Sequence, residues 1–161
     1  MNLLILGLIV FLGVHSIRIV ADEWRSAQIA RLGANKWKAI YSIASIAGFI
    51  LIVYGYGQAR AEPVVLWQPP GWTRPLASVL TFASFILFAA AKIPRNHVKA
   101  AIGHPMVAGT KVWAFAHLAA NGNLADVVLF GSLLVWAIAN FIAARRRDRA
   151  QSGSRGRSPY A

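Results

Sequence analysis

Four histidines and no cysteine set the chemistry open to this 161-residue chain. Without thiols, disulfides, thiolate metal sites, iron–sulfur clusters and haem attachment through Cys-x-x-Cys-His are excluded, whereas a haem held only by axial imidazole is not. His15 and His117 lie inside long apolar stretches, together with the cations Arg18 and Lys111. Ionisable groups at such positions are costly unless they face a bundle interior or a partner, so these four are the candidate functional residues. His104 stands in Gly103-His104-Pro105 at the edge of an apolar stretch; His97, after Pro94-Arg95-Asn96, reads most simply as a solvated interfacial residue. Asp126 is the one carboxylate within the apolar blocks, so an acid/base pair or a carboxylate-bridged metal centre has little to build on. No phosphate loop, zinc spacing or nucleophile motif is present.

Two readings stay open for Arg18 and Lys111. Both lie within reach of an interface, where a long cationic side chain can snorkel to water. Alternatively they pair with an anionic group such as a haem propionate or a lipid phosphate. Trp113, His117 and Asn121 recur every four residues and therefore share one helical face, aromatic and polar. The plain structural counterpart is a buried histidine hydrogen-bonded to a neighbouring helix, with Trp113 packing beside it.

The elements that carry these residues follow from composition. With 57% hydrophobic and 14% charged residues, the chain has too little polar surface to cover a soluble globule. Its apolar residues fall into five blocks, about Leu3–Val20, Ala39–Gly57, Leu76–Ala91, Met106–Ala120 and Leu124–Ala144. Helices of roughly 17–25 residues cross a hydrocarbon layer about 30 Å thick, so the expectation is an all-α, polytopic membrane bundle of about five transmembrane helices. The fourth block is the shortest. The first is not expected to be a secretory leader, because its positive charges follow the apolar stretch rather than precede it. Prolines punctuate both ends of the third, Tyr54 and Tyr56 close the second as interfacial anchors, and Asn121-Gly122-Asn123 turns the fourth into the fifth. Ala44 and Gly48 permit a close helix approach without identifying the neighbour.

Basic residues orient the bundle, since short loops rich in Lys and Arg stay in the cytoplasm. With five crossings, fourteen of the seventeen basic residues fall on one side, only Arg60 and Arg74 on the other, and Lys111 within a span. The N-terminus is thus expected outside and the C-terminus in the cytoplasm of a bacterial inner membrane. The net charge of +12 belongs to this flanking pattern rather than to nucleic-acid binding. Residues 1–144 form the transmembrane domain; the basic segment 145–161 is expected to be disordered along anionic head groups of the lipid bilayer.

Depth can be compared between histidines. Facing helices of a bundle can supply two axial imidazoles to haem b without any local motif. At about 1.5 Å per residue, His15 lies roughly 10 Å and His117 roughly 16 Å from the cytoplasmic boundary, while His104 sits at or beyond it. Span edges carry errors of about two to four residues, and within them His15 and His117 can share a level as metal ligands, whereas His104 fits less well.

Several stretches, each at its proper topological place, resemble the NnrU family of bacterial membrane proteins. They are Gly13-Val14-His15-Ser16-Ile17-Arg18, Lys36-Trp37-Lys38-Ala39-Ile40-Tyr41-Ser42 and Pro63-Val64-Val65-Leu66-Trp67. Gly103-His104-Pro105-Met106, Lys111-Val112-Trp113-Ala114-Phe115-Ala116-His117-Leu118 and Ala120-Asn121-Gly122 complete the set. The likeness covers about Leu3 to Ala144. It implies a link to denitrification, through the expression or activity of nitrite- and nitric-oxide-reducing enzymes. The family is also similar to the plant 15-cis-zeta-carotene isomerase, which uses haem b with histidine ligands. Carried over by motif, those ligands correspond to His15 and His117, with His104 in reserve.

Two expectations follow from different classes. In one, the protein binds haem b through His15 and His117, with Arg18 or Lys111 near the propionates, and acts on nitric oxide, another redox signal or a polyene. In the other it is a non-catalytic assembly or accessory factor for denitrification enzymes, and the histidines only pack. A transporter is disfavoured, because no internal repeat or pair of broken helices marks a midplane site.

Overall fold

In hydrocarbon, backbone N–H and C=O groups must be satisfied within the segment, which leaves the helix as the solution for each apolar block. The computed structural model describes residues 1–155. Its helices are α1 (Asn2–Val20), α2 (Asp22–Leu32), α3 (Ala34–Ala61), α4 (Thr73–Lys92), α5 (His97–Ile102), α6 (Pro105–Ala120) and α7 (Leu124–Arg155), with no strand among the described residues. The five apolar blocks fall in α1, α3, α4, α6 and α7. Four of these, α1, α3, α4 and α7, are long and apolar enough to cross a membrane. The fifth, α6, has 16 residues and packs against both α4 and α7. The chain is a helical membrane bundle.

Three departures from the expected outline have local causes. The basic connection after α1 is itself a helix, α2, with Asp22 and Glu23 in its first turn, where acidic groups complement the helix dipole. A second short helix, α5, follows Asn96, whose side-chain oxygen accepts from Lys99 N at 2.7 Å while its amide donates to the Ala90 and Ile93 carbonyls. One asparagine thus closes the end of α4 and opens α5, answering orphan groups of both helices. Finally, the basic segment expected to be disordered from Arg145 instead continues α7 as helix through Arg155. Arginine and alanine are good helix formers, and extending an existing helix avoids the nucleation cost. Residues 156–161 of that expected tail lie outside the described residues.

Glycine decides how α1 and α3 meet. A Cβ on Gly7 would lie 2.6 Å from Ile52 N, and one on Gly48 would lie 2.8 Å from Phe11 N. Gly55 likewise lies against the Leu4 backbone. Small residues let two helix backbones approach closely where no water is available to drive association. Gly48, Ile52 and Gly55 share one face of α3, and Leu4, Leu8 and Ile52 are buried at the seam. The neighbour of Gly48, which the residues alone left open, is α1 of the same chain.

Helix α7 joins two pairs. α1 packs chiefly on α3, α4 packs chiefly on α6, and α7 touches α1, α3 and α6, whereas α3 and α4 do not pack on each other. At the end of the bundle carrying Arg60 and Arg74, the strand-like segment 64–67 straps across the α6–α7 turn. Leu66 N and Trp67 N donate to the Gly122 carbonyl at 2.8 and 3.2 Å, and Leu124 N donates to the Val64 carbonyl at 2.8 Å. A side chain at Gly122 would collide with the Trp67 carbonyl.

Candidate functional site

A cavity of about 630 Å³ opens at the basic end of the bundle, where α1, α2, α3, α6 and α7 converge. That size is within the range of small-molecule and cofactor sites. Two histidines reach it, His15 from α1 and His104 from the residue before α6. Aromatic walls come from Trp37, Tyr41 and Trp136, and cations from Arg18, Arg25, Lys38 and Arg147.

His15 is held by three aromatic neighbours and through one of its ring nitrogens. Its Nδ1–H donates to the Phe11 carbonyl, 2.7 Å away and one helical turn earlier. Since a carbonyl can only accept, this contact puts a proton on Nδ1, and the described residues supply Nε2 with no hydrogen-bond partner. The ring stacks on Phe11 at 4.2 Å and meets Tyr41 at 5.3 Å and Trp136 at 6.0 Å between centroids. A backbone carbonyl on the far ring nitrogen is a common second contact of metal-bound imidazole, fixing tautomer and orientation. Trp136 adds a polar atom for which the described residues supply no acceptor, its buried Nε1.

His104 is placed by the backbone before it. Gly103 ends α5 at φ 78°, a left-handed conformation that glycine adopts without penalty, and Pro105 then starts α6. The His104 Nε2 lies 2.8 Å from Asp148 Oδ2 on the extension of α7, and its ring meets Phe141 edge-on at 6.2 Å. The cations separate. Arg18 lines the cavity and its carbonyl lies 3.5 Å from Arg147 Nη1. Lys111 instead sets its Nζ over the Phe141 ring, 3.7 Å from the centroid, a cation–π contact outside the cavity wall.

His117 belongs elsewhere. Its ring lies parallel to Phe130 of α7 at 4.4 Å, and Trp113 stands edge-on to it at 4.9 Å. Asn121 Nδ2 donates to the His117 carbonyl at 2.8 Å. Trp113 and His117 thus meet as the four-residue spacing expects, but His117 and Asn121 line a second, open cleft of about 850 Å³. On α7, the residue touching His15 is Trp136 and the one touching His117 is Phe130. Six residues of helix separate those contacts, roughly 9 Å along the axis. His15 and His117 therefore line different cavities, and the pair brought to one cavity is His15 with His104. Span edges read from a sequence are uncertain by about two to four residues on each helix, which is enough to hide an axial separation of this size.

Sequence reasoning also missed a buried polar group. Asp126 is fully buried and accepts from the Tyr56 hydroxyl and from Asn123 Nδ2 at 3.0 Å. Tyr56, expected as an interfacial anchor, is the donor that makes this carboxylate tolerable. Neither Asp148 nor Trp136 carried a local signal, because each acquires its role only through packing across helices.

Fold and cavity define the class: a polytopic helical membrane protein with two histidines converging on a cation-rimmed cavity at its basic end. The chain matches the NnrU protein family over residues 3–160, and it belongs to that family. No curated protein and no solved structure matches it. Stretches that carried the likeness meet in space: Val64–Trp67 bonds to Gly122, and His15 and His104 line one cavity with Trp37 and Tyr41.

Proposed function

We propose that this NnrU-family protein is a haem-b protein of the bacterial inner membrane serving nitrite and nitric oxide reduction, with haem in the cavity of His15 and His104. The observation that carries the reading is the His15 ring, anchored through Nδ1 to the Phe11 carbonyl with Nε2 left for a ligand. The donor set fits. His104 offers a second imidazole in the same cavity, and Arg18, Arg25, Lys38 and Arg147 offer cations for two carboxylates at its rim. By the distribution of basic residues, the basic end faces the cytoplasm. Haem bound there would supply one-electron chemistry and, on release of one imidazole, a site for nitric oxide.

The protein's own contribution is positional. Phe11, Tyr41 and Trp136 fix the His15 ring, and Tyr41 and Trp136 line the cavity, while the guanidinium and ammonium groups stay at the mouth. A long polyene would meet that charged mouth, so the diatomic ligand is the better match to this cavity. His117, in the other cleft, is left out of the ligand set.

One contact favours the second reading, a non-catalytic accessory factor for denitrification enzymes. His104 Nε2 faces Asp148, as a purely structural histidine would. An absorption spectrum separates the two. Detergent-purified protein, oxidised and then dithionite-reduced, should give a stoichiometric b-type spectrum that shifts on addition of nitric oxide. No Soret band, even with haem supplied during expression, would leave the accessory role.

A further inference from the structure

The second cleft lies at the opposite end of the bundle, and the cofactor reading makes no use of it. Among the described residues only two basic ones belong to that end, Arg60 in the last turn of α3 and Arg74 in the first turn of α4. Both line the same cleft. Neither guanidinium pairs with a carboxylate among the described residues. Arg60 rests over the Tyr56 ring, 5.6 Å from its centroid.

The cleft exists because α3 and α4 do not pack on each other. Its floor is Phe130 and His117, and one wall carries Phe82 and Phe85, which are 69% and 59% exposed. Along α4 these rings lie eight and eleven residues inward of Arg74, roughly 12 and 16 Å at the rise of a helix. A cationic mouth at the head-group level thus continues into an apolar trough that runs along the hydrocarbon layer. Ser78, Thr81 and Asn121 add hydroxyl and amide groups between the two zones.

We propose that this cleft is a binding site for one anionic phospholipid, its phosphate held between Arg60 and Arg74 and an acyl chain lying over Phe82 and Phe85. Charge complementarity selects the occupant. Two guanidiniums at an otherwise cation-poor end favour a phosphate without a compensating ammonium, and the exposed aromatic wall favours a chain attached to it. The site is separate from the His15–His104 cavity and stands whether or not haem binds there.

Native mass spectrometry of the full, detergent-purified chain tests it, with phosphatidylglycerol and phosphatidylcholine added in stoichiometric steps. One phosphatidylglycerol per chain should be retained with about ten-fold or greater preference over phosphatidylcholine, as loss of a charge-assisted bond implies. The exposed double substitution Arg60→Gln/Arg74→Gln should abolish that preference while leaving the helical circular dichroism unchanged. Arg146→Gln/Arg149→Gln, at the other end, should retain it. Phe85→Ala should weaken retention of the lipid without changing the headgroup preference. Equal binding of the two lipids, wild-type binding by the Arg60/Arg74 variant, or displacement of the lipid by millimolar inorganic phosphate would each overturn the proposal.

Discussion

His104 Nε2 and Asp148 Oδ2, 2.8 Å apart, tie the start of α6 to the extension of α7 across the mouth of the histidine cavity. The two side chains are 29% and 49% exposed. Such a pair contributes little to stability, about 0–1 kcal/mol. Its larger effect is on what His104 is free to bind.

Asp148→Ala therefore separates the two roles. Its melting temperature should stay close to that of the wild type, while haem titration, followed at the Soret band, should tighten because a ring nitrogen is released. Unchanged haem affinity would mean that His104 does not ligate through Nε2.

The α1–α3 seam should be intolerant of a single methyl group. Gly7→Ala puts Cβ on the backbone of Ile52, whereas Gly57 has nothing within 4 Å of the same atom. Overpacking of this kind costs about 1–3 kcal/mol, while alanine in a helix with room gains up to about 1 kcal/mol over glycine. Thermal unfolding in detergent should rank Gly57→Ala at or above wild type and Gly7→Ala well below it. Equal midpoints would contradict the close approach.

Removing the donor of a buried carboxylate should cost more than removing the carboxylate with it. Tyr56→Phe leaves Asp126 with Asn123 as its remaining side-chain donor. The expected loss is about 1–3 kcal/mol, with partial recovery in Tyr56→Phe/Asp126→Asn. Denaturation of the four proteins of this double-mutant cycle measures the coupling. Additive effects would show that the hydroxyl does not support the carboxylate.

The strap over the α6–α7 turn depends on one missing side chain. Gly122→Ala should break the bonds from Leu66 N and Trp67 N to the Gly122 carbonyl by displacing the Trp67 carbonyl. Proteolysis in the 62–72 segment should speed up, with helical content preserved. A protease-resistant strap in the variant would contradict its register.

Much of this architecture is legible in the residues. Apolar blocks between prolines and basic clusters mark where helices stand, and the four-residue recurrence of Trp113, His117 and Asn121 marks a real face. What a linear reading lacks is the axial register of one helix against another. Residue counts put His15 and His117 at comparable depth, yet α7 presents Trp136 to one and Phe130 to the other, and they part. Asp126 reads as a stray carboxylate until Tyr56, on another helix, is seen to donate to it. Likewise Arg145 reads as the start of a solvated tail, because nothing in its neighbourhood announces that Asp148 will meet His104.

The central claim, that His15 and His104 rather than His117 hold a haem, is tested most directly by Soret absorbance per mole of purified protein. The measurement compares the wild type with His15→Ala, His104→Ala and His117→Ala, each expressed with haem supplied. Loss of the band in the first two variants, with His117→Ala at wild-type stoichiometry, is the predicted result. A band lost in His117→Ala and kept in His104→Ala would contradict the assignment, and a wild type without the band would contradict the cofactor itself.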